Sequence, residues 1–367
     1  MIHISDRMST KKIAIFQNLP TGGGNTIYEE IKRYLDSKYK VQVFSDNISN
    51  NDVSLINILI YSFKNFFFPK KRIIDEINSS DIFIGFHSWI TKSPIYMRGI
   101  RIPKIYFCNE TMREFYEYSH KKIQTPKEKI INFIRLPLKY FNYINTRSSD
   151  IIISDSKKTN INISKAYGVT SKIIYPGVNI PIYRSRSIRK KNQIISVGAI
   201  NRLKGFEVIV KSTGMIPKNR RPKLLIVGNG SNISYEKYLI KLAMELSVDL
   251  SIKVNISNKQ LNQHYSESQL FVYTPIEEPF GMVVLEAMSY GLPIVASNTG
   301  GYTEILDKKT GILVEARDPK LISVAIKTIL GNKSLYNTYA KHVKQVAKRF
   351  SYNRVLQQLD NIIHHLQ

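Results

Sequence analysis

The sequence predicts an α/β chain of two domains, each layered on a parallel sheet. Three observations point there. Short apolar runs alternate with longer amphipathic stretches along the chain, the pattern of buried strands and covering helices. At 367 residues the chain exceeds one ordinary core, and two domains of about 180 residues are the natural division. The segment 181–192, Pro-Ile-Tyr-Arg-Ser-Arg-Ser-Ile-Arg-Lys-Lys-Asn, is polar, charged and aperiodic, as a linker between two layered halves should be. The expected boundaries are therefore 1–180, a linker at 181–192, 193–350, and a closing helical segment at 351–367.

Taken in order, the first half offers strands at 12–17 (around the run Ile13-Ala-Ile-Phe16), 40–45, 81–87, 104–108 and 151–154. The second half offers 193–198, 223–228, 251–255, 269–273, 293–297 (Pro293-Ile-Val-Ala-Ser297) and 311–314. Between the first strand and a helix expected over 26–35 lies Thr21-Gly22-Gly23-Gly24-Asn25. Three glycines let backbone amides approach a ligand, and a helix N-terminus favours negative charge. The same loop is also compatible with a plain tight turn. A last helix is expected over about 352–365.

Composition narrows the partners. Lys and Arg number 54 against 28 Asp and Glu, a net charge of +26. Residues 1–190 hold 31 of the cations and 15 of the acids. Such a field favours lipid headgroups, lipid-linked phosphates, nucleotides or nucleic acid without choosing among them. No nucleic-acid reader motif is present, so nucleic acid ranks last. The single cysteine, Cys108, excludes an internal disulfide and fits a reducing compartment. No secretory leader is read before Ile13, and the longest apolar region, 53–68, is interrupted by Asn57, Lys64 and Asn65, short of a membrane span. A cytoplasmic protein is expected, peripheral on the inner face of the cell membrane if it meets one.

Two stretches could supply such a surface. Residues 61–72 mix Tyr61, Phe63, Phe66, Phe67 and Phe68 with Lys64, Lys70, Lys71 and Arg72, and residues 121–147 hold seven cations against one acid among scattered Ile, Leu and Phe. Apolar insertion paired with headgroup attraction is the logic of interfacial binding. Ordinary helices with basic outer faces fit the same pattern.

The most informative block is Glu278-Pro279-Phe280-Gly281 through Glu286 to Gly291-Leu-Pro293. Two carboxylates lie eight positions apart, one beside a glycine turn, the other inside an apolar helix. From Gly281 to Glu286 such a helix rises about 8 Å, so one ligand could touch both. The helical neighbours of Glu286 are largely apolar, and a carboxylate there is costly unless it is paired or bound to something polar. Gly291 is placed to cap the helix and Pro293 to stop it. No Asp-x-Asp pair and no His/Cys metal cluster is found.

This block, followed by Asn298-Thr299-Gly300-Gly301, resembles the E-x7-E motif of retaining, nucleotide-sugar-dependent glycosyltransferases of family 4. The likeness runs from the glycine loop to the C-terminal helix. It implies the GT-B fold: two Rossmann-like domains with parallel sheets facing across a cleft, and a C-terminal helix returning to the N-terminal domain. It implies a donor, UDP- or GDP-sugar, as substrate with no cofactor required, and a glycan or lipid-linked acceptor. By the same resemblance Glu278 meets the donor sugar and Glu286 the nucleotide ribose. Gly281 and the backbone of Met282 and Val283 face the phosphates, with Gly23, Gly24 and Gly198 lining the donor.

In Val197-Gly198-Ala199-Ile200-Asn201-Arg202-Leu203-Lys204-Gly205, Lys204 matches the cation that neutralises the leaving diphosphate. Ala199 stands where the family carries Arg, so Arg202 is the substitute guanidinium. Two solvated loop cations would be the plainer account. In the N-terminal half His87 ends the 81–87 strand, where such folds present residues to ligand, although a lone histidine is as readily structural. Tyr106-Phe-Cys-Asn109-Glu110-Thr-Met-Arg113 resembles a family segment with His in place of Asn109. Asn109 can hydrogen-bond a sugar but carries no proton, and Arg113 could meet either a phosphate or a neighbouring carboxylate. A retaining transferase is the leading expectation; a non-catalytic sugar-nucleotide binder of the same fold is the alternative that Asn109 and Ala199 would favour.

Overall fold

The computed structural model describes residues 11–19, 23–45, 55–88, 91–117, 124–181, 191–230, 232–315 and 317–366. Thr21 and Gly22 of the glycine loop, and 182–190 of the expected linker, lie outside the described residues. The chain forms two compact units, Met1–Tyr175 together with Val355–Gln367, and Pro176–Arg354.

In the first unit, strands and helices alternate as β1 (Lys12–Asn18), α1 (Gly23–Asp36), β2 (Lys40–Phe44), α2 (Leu55–Phe67), α3 (Lys71–Asn78) and β3 (Ile82–Ser88). They continue as β4 (Lys104–Phe107), α4 (Arg113–Tyr116), α5 (Pro126–Ile134), α6 (Leu136–Arg147), β5 (Ile151–Ser154), α7 (Lys157–Tyr167) and β6 (Lys172–Ile173). The six strands form one sheet in the order β2-β1-β3-β4-β5-β6, and every pairing is parallel. All seven residues of β3 are buried, because helices cover both faces of a parallel sheet and leave no side for water. The core gathers Phe16, Phe83, Tyr106, Phe141 and Tyr167.

The second unit contains β7 (Gln193–Val197), α8 (Phe206–Gly214), β8 (Lys223–Gly228), α9 (Ile233–Glu245), β9 (Leu250–Val254) and α10 (Asn258–Glu267). It goes on through β10 (Leu270–Tyr273), α11 (Met282–Ser289), β11 (Ile294–Ser297), β12 (Gly311–Val314), α12 (Pro319–Gly331) and α13 (Lys333–Arg349). Its sheet order, β9-β8-β7-β10-β11-β12, is that of the doubly wound dinucleotide fold, with the reversal between β7 and β10. The core packs Phe206, Ile209, Ile226, Leu239, Leu270 and Val272.

The chain then closes with α14 (Tyr352–His365), whose residues from Val355 onward belong to the first unit. Leu356, Leu359 and Ile363 are buried. Asp360 accepts hydrogen bonds from Lys38 Nζ at 2.8 Å and the Tyr39 hydroxyl at 2.6 Å.

One expectation changes in detail. The first helix begins at Gly23, three residues earlier than read from sequence, so Gly23 and Gly24 are its first two residues. A helix's first-turn amides have no intrahelical partner, so glycines there head the helix without forming a separate loop.

Candidate functional site

In the second unit β7 and β10 pair side by side, Ile194 opposite Leu270 and Ile195 opposite Phe271. The loops leaving their carboxyl ends therefore emerge together at the topological switch point, where open α/β sheets bind ligands. After β7, the Asn201 side chain accepts from Leu203 N at 3.0 Å and opens a 3-10 turn, Arg202–Lys204. Gly205 closes it at φ +68, where a Cβ would fall 2.2 Å from the Thr274 carbonyl oxygen; only glycine fits. The close approach is tied on both sides. Thr274 Oγ1 donates to Gly205 O at 2.9 Å, and Ile276 N donates to Leu203 O at 2.8 Å.

This seam sets Lys204 opposite Glu278. Lys204 Nζ donates to Glu278 Oε2 at 2.7 Å, with the two side chains 18% and 17% exposed. Gly198 lies under the lysine stem: a Cβ there would touch Lys204 Cγ and Cδ at 3.4 Å. Glu278 is fixed from behind by Gly301 N, which donates to its carbonyl at 2.9 Å. Gly300, at φ +110, approaches so closely that a Cβ would sit 2.9 Å from the Glu278 carbonyl oxygen. Charge pairing and backbone fit together hold an ammonium and a carboxylate at the carboxyl edge of the sheet.

Gly281 is the N-cap of α11. Met282 and Val283 are half-buried in its first turn, with amides that have no carbonyl of their own helix to bond. One turn further, Glu286 is half-buried, and burial raises its carboxyl above the usual carboxylate range while the Tyr265 hydroxyl opposes the shift. Tyr265, from α10, donates its hydroxyl to Glu286 Oε2 at 2.9 Å. Burial, then the neighbouring Glu286, holds that phenol well above its ordinary pKa, so it remains a donor. Its ring stacks on Tyr290 at 5.4 Å between centroids. Arg202 is exposed, and its guanidinium lies 5.9 Å from the ring centroids of Tyr235 and Tyr238 on α9. Tyr235 in turn donates to Glu207, which also pairs with Arg317 at 2.7 Å.

The first unit has its own polar cluster at the corresponding edge. His87 is the second-last residue of β3, which pairs with β1. Ser88 and Lys92 exchange both backbone hydrogen bonds at 2.8 Å, with Lys92 at φ +62. The turn delivers Lys92 Nζ to Glu110 Oε1 at 2.5 Å, and His87 Nε2 lies 3.5 Å from the same oxygen. Burial, then Lys92, depresses the His87 pKa. Burial pushes the Glu110 carboxyl up, but Lys92, His87 and Arg113 together hold it well below its usual range. His87 Nδ1 is buried with no hydrogen-bond partner among the described residues. Asn109 is half-buried in the loop after β4.

Of the two partners the sequence left open for Arg113, the structure supplies the carboxylate. Arg113 Nε donates to Glu117 Oε2 at 2.9 Å in a buried pair, and Asn162 holds the other Glu117 oxygen at 3.1 Å. After β5, buried Asp155 accepts from Ser156 Oγ at 3.2 Å, and burial pushes its pKa up to about 7.

Lys204 and Glu278 are thus brought together, Glu286 is joined to a tyrosine, and Arg202 is placed on an aromatic pair. Sequence reasoning missed Lys92 and Tyr265. Both act through contacts distant along the chain, and neither belongs to a motif that could have marked it. Among the described residues no group of three or more His, Cys, Asp or Glu could hold a metal ion.

Residues 182–346 match the family model of glycosyl transferases group 1. An uncharacterized glycosyltransferase of Methanocaldococcus jannaschii is 25% identical over 241 residues, 60% of this chain and 61% of that protein. A D-inositol 3-phosphate glycosyltransferase of Geodermatophilus obscurus is 30% identical over 45% of this chain and 38% of its own length. The chain thus spans less than two thirds of these relatives. Solved structures extend the likeness in shape. Anabaena HepE in complex with UDP and glucose superposes over 97% of this chain and 100% of its own, with TM-score 0.73 and 16% identity. Sucrose-phosphate synthase from Thermosynechococcus elongatus superposes over 97% of this chain and 99% of its own, with TM-score 0.76 and 16% identity. Residues 182–346 are therefore similar to the glycosyl transferases group 1 family, and the chain as a whole has the α/β fold of the GT-B glycosyltransferase structures.

Proposed function

We propose that this protein is a retaining glycosyltransferase of family 4 type. It would move a sugar from a UDP- or GDP-sugar to the hydroxyl of a glycan or lipid-linked acceptor in glycolipid, lipid-linked oligosaccharide or cell-surface polysaccharide assembly. The observation that carries it is the Lys204–Glu278 pair, 2.7 Å apart, at the carboxyl ends of the two strands flanking the switch point. Departure of a nucleoside diphosphate builds charge on its phosphate oxygens, and a cation held at that place stabilises it. A donor diphosphate competes with Glu278 for Lys204, which frees the carboxylate to accept hydrogen bonds from the sugar hydroxyls.

Glu286, positioned by Tyr265, accepts from the ribose hydroxyls. The amides heading α11 and the backbone of Gly198 face the phosphates. Arg202 adds positive charge from the aromatic pair. The acceptor falls to the first unit, where His87, Asn109 and Glu110 offer hydrogen bonds at its sheet edge and Arg113 braces the loop through Glu117. Binding of UDP and glucose by the HepE structure is support by analogy of fold.

The test is a melting-temperature screen of UDP-, GDP- and ADP-sugars, since a ligand selective for the native state raises the transition. Nucleotide release with the stabilising donor follows. Glu286→Gln is expected to raise the donor KM and Lys204→Ala chiefly to lower kcat. Unchanged kinetics in both variants would remove this assignment.

A further inference from the structure

Helix α2 packs Phe66, Ile58 and Leu59 on the core of the first unit but turns a second apolar stripe outward. Ile56, Ile60, Phe63 and Phe67 follow one another at spacings of four, three and four residues, one stripe of a helix, and all four are exposed, by 41–67%. The opposite face buries Ser62 and Asn65 along with Phe66. The helix cannot roll to hide the stripe. Phe66 stacks on Phe141 of α6 at 4.0 Å, and Asn65 Oδ1 accepts from the buried Tyr96 hydroxyl at 3.2 Å.

Helix α5, linked to α2 through α6, exposes apolar side chains as well. Phe63 and Phe67 of α2 meet Phe141 of α6 at 5.0 and 5.8 Å, and α6 follows directly on α5. Helix α5 buries none of its residues; Ile130 and Phe133 are 64% and 74% exposed. Large rings and branched chains turned outward on neighbouring helices form a surface that mere chance exposure does not explain.

Its charge identifies the occupant. Between 55 and 72 the chain has four cations, Lys64, Lys70, Lys71 and Arg72, and no acid, and all four are exposed. On α5, Lys127 and Lys129 are exposed beside the one acid, Glu128. Other cations nearby are occupied within the fold: Arg135 pairs with Glu114 at 3.0 Å and Lys139 lies over the Tyr116 ring. A second copy of this chain docked face to face would bring like charges together. An anionic bilayer accepts both the apolar stripe and the cations flanking it.

We propose that α2 and α5, bridged by α6, form a monotopic docking surface that lies in the headgroup layer of an anionic phospholipid membrane. No helix among the described residues is long and apolar enough to cross one, so the contact is interfacial. The inference is independent of sugar transfer and is tested without it. The full chain is sedimented with vesicles of phosphatidylglycerol and phosphatidylcholine, and with phosphatidylcholine alone, at low and high salt.

Binding to the anionic vesicles, weakened by salt, is expected. Lys70→Gln with Lys71→Gln should each lose about fivefold in partitioning. Phe67→Ser with Phe133→Ser should lose roughly tenfold or more, with a melting temperature lowered by only a few degrees, because Phe133 is 74% exposed and Phe67, which touches Phe66 and Phe141, is 56% exposed. Absence of sedimentation at low salt overturns the proposal. So does equal binding by the phenylalanine variant, or a concentration-dependent dimer that this variant abolishes, which would make the patch a self-association surface.

Discussion

Replacing Lys204 by Met and Glu278 by Gln, singly and together, measures how firmly the pair at the edge of the second sheet is set. An exposed ion pair contributes about 0.2–1 kcal/mol, whereas removing one partner of a fully buried pair costs about 3–5 kcal/mol. Here the contact is 2.7 Å and each side chain is less than a fifth exposed, so the coupling should fall between, about 1–3 kcal/mol. In a unit of this size each kcal/mol moves the transition by about 2–4 °C. Differential scanning calorimetry of the full chain should show each single variant lowered by several degrees. The double variant should be no worse than the poorer single one, because the second change removes a charge already left alone. If the two losses simply add, the ammonium and carboxylate do not depend on each other, and the arrangement built on the 203–205 turn is not what holds them.

Three further outcomes are expected. Tyr265→Phe removes the donor 2.9 Å from Glu286; a hydrogen bond to a charged group is worth about 1.5–3 kcal/mol, so calorimetric donor affinity should drop by roughly 10- to 100-fold, and unchanged affinity would detach Tyr265 from the site. Asp155, with its pKa pushed up to about 7, binds a proton in the folded state that it gives up in the unfolded state over about pH 4–7. It therefore makes stability fall as pH rises through that window, by at most about 4 kcal/mol. Asp155→Asn should flatten this slope in urea titrations at pH 5 and 7.5, and an identical slope would refute it. Gly205→Ala places a Cβ 2.2 Å from the Thr274 carbonyl at a left-handed φ. A loss of about 2–4 kcal/mol is expected from strain and displacement, with faster amide exchange at Ile276; wild-type exchange there would mean the turn is not tied as described.

The strands were legible because parallel sheets buried on both faces leave continuous runs of Ile, Val and Phe between turn residues. Eleven expected strands appear within a residue or so of their predicted places. The missed strand, Lys172–Ile173, is only two residues long, too short for any period. At the site, Gly281 and Glu286 were readable from local spacing, and Gly291 takes the left-handed φ of +73 expected of a cap. What was hidden is long-range. Tyr265 reaches Glu286 across 21 residues, and Lys92 reaches Glu110 only because the Ser88–Lys92 backbone pairing folds its loop back. The apolar run at 53–68 was visible, but which face of the helix would be turned outward was not, since Ser62 and Asn65 are buried for packing and hydrogen-bonding reasons that no hydropathy pattern encodes.

The closing helix has a consequence for how the molecule is made. Leu356, Leu359 and Ile363 are interior residues of the first unit, and Asp360 fastens Lys38 and Tyr39, yet more than three hundred residues separate them in synthesis. The amino-terminal lobe must therefore wait on the ribosome with a seam open until the carboxyl-terminal lobe has been translated. A chain arrested after Arg349 would display that seam to chaperones and proteases even with the second sheet complete.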